Sequence, residues 1–452
     1  MDSCDTLVLT GKMSSTGKTV LFKNSDRPLG EAQPLCFYDR EDGKYAVLGS
    51  RPTWISGFEM GANEKGVFIA NEAEGSRVPA ETEEGMLGMD ILREALEKAS
   101  TAREAIDIIS GLLAAFGQNK NAHPTMDRRY ENSFIITDPA EAYVMETAGR
   151  EWAAKKVKDF AAVSNCYTIT TDYDLCSPGM EKTVTANRWL RPGEAVNFAK
   201  AYTKPADRQR NSVPRMRRMI RLVKEASENG KIDDGMLRKI FRDHFEGEIN
   251  EPRFGAAYGG FTSICMHALT DAIDSSQTAA SMYMAYDERF RYKFLWAAGV
   301  PCLSVYLPLY WVNPEKKGMK IPECMSIGGD TYDPRSLWWT MERLGTLVSM
   351  DEERFGLPVR ESLAKLEKGI EARTLEAEEE AEELIECGNL PGASKRLSTL
   401  TESCTEMLLQ TAGLLTAVLS MEISKTGGLY GPRKEILESY MKRTGMPFDW
   451  ES

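Results

Sequence analysis

The sequence predicts an α+β fold in which antiparallel sheets stack and helices cover them. The first 165 residues are rich in short strand-like runs, a helical layer interrupts them, and a second strand block follows a helical stretch. The order lacks the regular strand–helix–strand alternation that builds a parallel sheet, which points to antiparallel sheets with helices packed on them.

Residues 5–10 and 18–24 read as two strands around the polar turn Gly11–Gly17. Further apolar or alternating runs lie at Tyr45–Gly49, Gly66–Glu72, Ser133–Thr137, Ala142–Thr147 and Phe160–Ser164. Between them, Met89–Lys98 and Ala102–Phe116 carry apolar residues at three- and four-residue spacing, and Thr101 with Glu104 forms a capping-box pattern. Helical character returns from Arg215 to His244, and strands from Thr262 to Tyr310, clearest at Thr278–Ala285 and Cys302–Pro308. After Gly345 the chain changes: Glu361–Glu386 is acidic and helix-prone, Gly388–Gly392 breaks it, and Leu397, Leu400, Cys404, Leu408 and Leu415 keep helical spacing. This reads as a helical hairpin with a solvated acidic face and a leucine stripe packed on the main domain or on a second subunit.

A net charge of −12 argues against a nucleic-acid or anionic-membrane surface, which needs clustered Lys and Arg. The sequence shows no run of roughly 18 apolar residues and no secretory signal, so a cytoplasmic protein without membrane association is expected. The nine cysteines form no CxxC pair, which excludes a disulfide framework or zinc knuckle on spacing. His123, His244 and His267 form no HExxH or HxH pattern, so no metal and no cofactor is expected. Gly11-Lys12-Met13-Ser14-Ser15-Thr16-Gly17-Lys18-Thr19 has five residues between its glycines where a phosphate-binding loop has four, and Val20-Leu21-Phe22-Lys23 after it reads as strand. A hairpin turn accounts for it.

The chemistry centres on Cys4. Cleavage of the Ser3–Cys4 bond would give one residue both a thiol nucleophile and a free α-amine to act as its base, with no histidine required. Met1 precedes the bulky Asp2, so exposure of Cys4 calls for internal cleavage rather than methionine removal. Phe22-Lys23-Asn24-Ser25-Asp26-Arg27 ends a strand paired to the one carrying Cys4, which brings Asp26 within reach of that amine. On the residues alone, Asp26 and Arg27 also read as an ion pair at a turn.

Several segments in register resemble the secernin and C69 dipeptidase family. They are Cys4-Asp5-Thr6, Lys23-Asn24-Ser25-Asp26-Arg27, Leu48-Gly49-Ser50-Arg51-Pro52-Thr53-Trp54, Glu59-Met60-Gly61-Ala62-Asn63-Glu64-Lys65-Gly66-Val67 and Asn71-Glu72-Ala73. Tyr130-Glu131-Asn132-Ser133-Phe134, Glu146-Thr147-Ala148-Gly149, Trp152-Ala153-Ala154, Val163-Ser164-Asn165 and Thr278-Ala279-Ala280-Ser281-Met282 continue the likeness in the same order.

The resemblance implies an N-terminal nucleophile (Ntn) hydrolase, a four-layer αββα sandwich that attacks a carboxamide through a thiol and forms an acyl-enzyme. It implies a propeptide over residues 1–3 and a hydrolase domain over 4–345, while composition alone assigns residues 346–452 to a C-terminal helical extension. Cys4 would attack, its amine would shuttle the proton, Asp26 would orient that amine, and Asn71 and Asn165 would face the developing oxyanion. Lys23 stands where more distant cysteine acylases carry arginine, and its role stays open. Arg27, Arg51, Trp54 and Glu59 would shape the pocket or bind a substrate carboxylate, with ordinary ion pairing and packing as the alternative. Cys166 reads as core. The expected substrate is a small peptide, with an N-acyl amide or a non-hydrolytic, secernin-like regulatory role as the alternatives; a homo-oligomer is compatible with the leucine-bearing hairpin.

Overall fold

The computed structural model describes residues 3–79, 84–124, 126–191, 193–204, 212–248, 251, 263–268, 276–312, 319–431 and 433–448. The first strands are β1 (Cys4–Leu9), β2 (Val20–Pro28), β3 (Leu35–Tyr38), β4 (Val47–Ser50), β5 (Met60–Asn63) and β6 (Phe68–Glu74). Helices α1 (Gly88–Lys98) and α2 (Ala102–Phe116) follow, then β7 (Glu131–Thr137), β8 (Ala142–Ala148), β9 (Glu151–Lys156), β10 (Phe160–Val163) and β11 (Leu175–Cys176). Next come α3 (Met180–Ala186), α4 (Phe198–Tyr202), α5 (Ser212–Ser227) and α6 (Asp234–Phe241), then β12 (Ser276–Asp287), β13 (Arg291–Ala298) and β14 (Leu307–Trp311). The chain closes with α7 (Glu323–Ser326), α8 (Leu337–Met350), α9 (Glu352–Glu386), α10 (Leu390–Ser424) and α11 (Lys434–Thr444).

The strands form two sheets, in the orders β10-β1-β2-β12-β13-β14 and β11-β9-β8-β7-β6-β5-β4-β3. Every pairing between these strands is antiparallel. Strand alternation sorts the side chains into layers. Val8 and Leu21 join Leu48, Phe68, Ile135 and Met284 in the core between the sheets. Leu7, Leu9 and Phe22 point the other way, onto Met219 and Val223 of α5 and Leu237 and Phe241 of α6. Ile69, Phe134 and Met145 bury the apolar faces of α1 and α2 on the outer side of the second sheet. The result is helices, sheet, sheet, helices: the four-layer αββα sandwich.

Local chemistry explains the boundaries. Gly11 and Gly17 approach so closely in the β1–β2 turn that a Cβ on Gly11 would lie 2.1 Å from the Gly17 carbonyl oxygen. At the start of α2, Thr101 Oγ1 accepts from Glu104 N at 3.1 Å as expected, but the Glu104 carboxylate accepts from Ser100 N at 2.8 Å rather than from Thr101. One expectation is corrected. Cys302–Pro308 is no continuous strand: Pro301 opens a short 3-10 turn over Pro301–Leu303, and extended structure resumes at Leu307. The break expected at Gly388–Gly392 separates α9, which ends at Glu386, from α10, where Pro391 sits in the first turn and Asn389 Oδ1 caps Gly392 N at 3.0 Å. Within the expected strand stretch from Thr262, residues 262 and 269–275 lie outside the described residues.

Helices α9 and α10 pair as a hairpin against β14 and α8. Leu397, Leu400, Cys404 and Leu408 are buried in the same core as the sandwich, with Leu415 partly buried against it. Contrary to the sequence expectation, α10 contains an 18-residue window apolar enough to cross a membrane by length and composition. Its buried stripe packs on the sheet: Thr401 Oγ1 donates to Pro308 O at 2.7 Å, and Glu378 of α9 pairs with Lys293 of β13 at 2.7 Å.

Candidate active site

Cys4 begins β1 opposite Ser25 of β2, at the end of the six-stranded sheet, and is buried. Alternation sends Cys4, Thr6 and Lys23 toward the space between the sheets and Asp5 and Asn24 toward α5 and α6. The contacts follow that division. Thr6 Oγ1 hydrogen-bonds Glu72 Oε1 on the facing sheet, whereas Asp5 Oδ2 accepts from Arg215 Nε of α5 at 2.8 Å and Asn24 Nδ2 donates to Phe241 O at the end of α6 at 2.9 Å.

Two groups hold the reactive atoms of Cys4. Its backbone nitrogen, the atom that would become the α-amine, donates to Asn165 Oδ1 at 2.9 Å. Its sulfur receives the Asp26 backbone N–H at 3.3 Å. Asn165 is itself fixed: Oδ1 also accepts from Arg215 Nη2 at 2.8 Å, and Nδ2 donates to Ala73 O at 2.9 Å. Arg215 further donates to Ser164 Oγ at 2.9 Å. One guanidinium thus joins Asp5, Ser164 and Asn165, and so ties β1 to the exit of β10.

The Asp26 carboxylate is buried, and its Oδ1 accepts from Thr278 Oγ1 of β12 at 2.7 Å. Among the described residues, its Oδ2 has no hydrogen-bond partner. Lys23 is fully buried and donates to Glu59 Oε2 at 3.1 Å, Glu59 O at 3.0 Å and Asn71 Oδ1 at 3.1 Å, and also to Asn71 O. Asn71 Nδ2 donates to Asn132 Oδ1 at 3.0 Å, so part of its donor capacity is committed. The Asn132 amide fits because residue 88 is glycine: a Cβ there would lie 2.1 Å from Asn132 Oδ1.

The charges are strongly perturbed. Burial pushes the Cys4 thiol well above its usual range, the Lys23 ammonium pulls it back, and Glu72, Glu59 and Asp26 raise it further. Burial lifts the Glu72 carboxyl to about 8 against the opposing pull of Lys23, and lifts Asp5 to about 6 against Arg215. Asp26 is raised by burial and by Asp5. Burial disfavours the Lys23 charge, but Cys4, Glu59 and Glu72 hold the ammonium above its ordinary value. The thiol in this peptide-linked state is therefore neutral at neutral pH, beside a persistent cation.

The other predicted residues separate. Arg27 pairs with Glu31 at 2.7 Å and Glu59 at 3.2 Å, and Trp54 Nε1 donates to Glu31 at 3.1 Å, so Arg27, Trp54 and Glu59 form one wall adjoining Lys23. Arg51 instead staples its own loop, donating to Pro52 O and Thr53 O at 3.2 and 3.1 Å and to Ile55 O. Cys166 is half-buried, with burial pushing its thiol up to about 12. Sequence reasoning missed Arg215, Glu72 and Thr278 as site residues. Arg215 was legible as a charge at the buried spacing Arg215, Met219, Val223 of an amphipathic helix.

Two of the histidines meet in the fold although they form no HExxH or HxH pattern in sequence. His244 Nε2 and His267 Nε2 are 3.3 Å apart, grouped with Cys265 and Cys302, whereas His123 Nδ1 accepts a local bond from Met126 N.

Residues 13–262 match the model of the acyl-coenzyme A:6-aminopenicillanic acid acyl-transferase family, a span that contains Lys23, Asp26, Glu59, Asn71, Asn165 and Arg215. The chain belongs to that family. Among solved structures, it is similar to a mutant conjugated bile acid hydrolase from Clostridium perfringens, at 15% identity and TM-score 0.37 over 64% of this chain and 88% of the other. It is also similar to a Caenorhabditis elegans N-acylethanolamine-hydrolyzing acid amidase ortholog, at 12% identity and TM-score 0.35 over 62% and 92%. Cys4 stands at the head of the first strand of the sandwich.

Proposed function

We propose that this protein is a cysteine amidohydrolase whose nucleophile is Cys4 after removal of residues 1–3, acting on small amides and most specifically on dipeptides. The observation that carries this reading is the pair of contacts at one residue: Asn165 Oδ1 on the Cys4 nitrogen and the Asp26 N–H on its sulfur.

In maturation, the Cys4 sulfur attacks the Ser3 carbonyl carbon, its proton passes to the departing Cys4 nitrogen, and water cleaves the resulting thioester. Residues 1–3 leave as an acid and the α-amine is freed. In turnover the amine takes the thiol proton, the thiolate adds to the substrate carbonyl, and the same proton is delivered to the leaving amine. Water then hydrolyses the acyl-thioester with the amine as base. Asn165 holds the amine through Oδ1, Lys23 favours the thiolate, and Asp26 sets the position of the sulfur through its backbone N–H. The remaining amide hydrogen of Asn71 is a candidate oxyanion donor, an interaction whose loss typically costs about 3–4 kcal/mol.

The dipeptide reading rests on the resemblance to secernins and C69 dipeptidases. It draws support from the carboxylates around Arg27 and Lys23: Glu31 Oε1 is buried with no hydrogen-bond partner among the described residues, an acceptor suited to a substrate ammonium. The alternative, an N-acyl amide acylase, uses the same machinery with a different pocket. A non-hydrolytic, secernin-like role follows if Cys4 stays masked. The experiment is intact mass with N-terminal sequencing and a thiol probe, followed by hydrolysis assays on dipeptides and on N-acyl amides. A chain starting at Cys4, labelled there and cleaving dipeptides, is the expected result. A chain that retains Ser3, leaves Cys4 unlabelled and hydrolyses neither class would refute the enzyme reading.

A further inference from the structure

The cluster formed by His244, Cys265, His267 and Cys302 belongs to none of the chemistry above. His244 follows α6, Cys265 and His267 lie in segment 263–268, and Cys302 sits in the 3-10 turn between β13 and β14. One ligand atom from each residue lies within 4.8 Å of the other three. His267 Nε2 is 3.3 Å from His244 Nε2, 3.2 Å from Cys302 Sγ and 3.8 Å from Cys265 Sγ.

A ring nitrogen has one proton or one lone pair, so hydrogen bonding cannot serve three such neighbours at once. A cation between them can. With zinc–nitrogen bonds of about 2.0–2.1 Å and zinc–sulfur bonds of about 2.3 Å, a tetrahedron has edges of roughly 3.3 Å between nitrogens and roughly 3.6 Å from nitrogen to sulfur. The separations at His267 bracket those values.

We infer that His244, Cys265, His267 and Cys302 form a tetrahedral Cys2His2 site for Zn2+ with a structural role. Two thiol protons leave on binding, and the two thiolates balance the charge of the ion. The surroundings suit it. His244 Nδ1 faces Glu246 Oε1 at 2.9 Å, the carboxylate contact that fixes a metal-binding imidazole with Nε2 presenting its lone pair. Cys265, His244 and Cys302 are buried, and the cluster borders a cleft lined by Arg242, Glu246, Arg360 and Glu367 through which an ion can enter. Four protein ligands leave no open position for substrate, which distinguishes a structural zinc from a catalytic one.

The ion would clamp segment 263–268 to the Pro301–Leu303 turn and to the end of α6. That segment supports the Cys4 site directly. Met266, between the two ligands Cys265 and His267, donates its N–H to Thr278 Oγ1 at 3.0 Å and accepts from Thr278 N at 3.1 Å. Thr278 Oγ1 in turn donates to Asp26 Oδ1. Asn24 also donates to Ile264 O at 2.8 Å.

The test is the metal content of the purified full chain, read by mass spectrometry after exchange into metal-free buffer, with a chromogenic chelator reporting release by a mercurial. One zinc per chain is expected, lost in Cys265→Ser and Cys302→Ser and retained in Cys166→Ser and Cys404→Ser. Glu246→Gln should weaken zinc affinity about 10–100-fold. Because a ligand variant can also misfold, the parent chain is reconstituted with Co2+ and with Zn2+. Sulfur-to-cobalt charge-transfer absorption, and an X-ray absorption shell of two sulfurs and two nitrogens, are expected. A reconstituted chain with substoichiometric zinc, a shell without sulfur, or a Cys265–Cys302 disulfide in anaerobically purified protein would overturn the assignment. None of these readouts depends on amide hydrolysis.

Discussion

Cys4 and Cys302 are buried thiols near the same end of the six-stranded sheet, yet their surroundings differ in kind. Cys4, Ser25, Ala280 and Ala298 form one cross-strand row, and Cys302 follows just beyond its last member. Around Cys4, directional donors and acceptors address one nitrogen and one sulfur separately: Asn165 takes the first and the Asp26 N–H the second. Around Cys302, a second thiol and two imidazole nitrogens converge on a common centre. The first arrangement can steer a proton between two atoms; the second gathers four ligand atoms in the way a bound cation needs. What gives a buried cysteine its function here is whether its neighbours are aimed at it or share a point with it.

The comparison breaks at once if Cys4 is dispensable. Cys4→Ala should abolish probe labelling at residue 4 and lower amide turnover by at least ~10³-fold, measured on matched protein, while thermal unfolding stays near that of the parent. Equal turnover would remove the mechanism. Arg215→Leu should come next, destabilising the fold by about 3–5 kcal/mol in chemical denaturation because it strands Asp5 as a buried acid. Adding Asp5→Asn should recover part of that loss, and no recovery would show that the guanidinium acts through packing alone.

A pH measurement sharpens the electrostatic side. Glu72 is raised from 4.5 to about 8 in the folded chain, so the folded state binds more protons than the unfolded one between those values. Stability attributed to this group is therefore greatest below about pH 4.5 and declines as pH rises to about 8, by an amount on the order of 5 kcal/mol. Glu72→Gln should flatten that decline in urea titrations across the window; an unchanged slope would mean that the carboxyl is ionised throughout. The smallest effect is expected at the link between the two regions. Thr278→Val should cost about 1–3 kcal/mol by leaving Asp26 without its hydroxyl donor, whereas Thr278→Ser should stay close to the parent. Removal of zinc with a chelator should move stability in the same direction as Thr278→Val, since both release Asp26 from the 263–268 segment.

Much of the site was legible because it follows local rules. The runs around Cys4 and Lys23 are short strand-like stretches on either side of a polar turn, so a single hairpin brings Asp26 to Cys4 from sequence alone. The helices α1 and α2 were visible from their apolar spacing. Arg51, by contrast, sits in a family-like segment but spends its charge on its own loop, a choice among acceptors that pattern cannot make. Lys23 looked like an open question and is the buried cation between Glu59 and Asn71, because its partners come from the facing sheet.

What the sequence determined by itself was the layered α+β sandwich and the helical hairpin, since each depends on periodicity or on neighbours a few residues away. Tertiary structure alone decided that Arg215 would lock Asn165 to Asp5 and that His244, Cys265, His267 and Cys302 would meet at one point. Those residues are separated by up to 210 positions in the first case and up to 58 in the second. Only the pairing of β2 with β12 and the packing of α5 on β1 bring their side chains within bonding distance, and a one-dimensional pattern has no term for that distance.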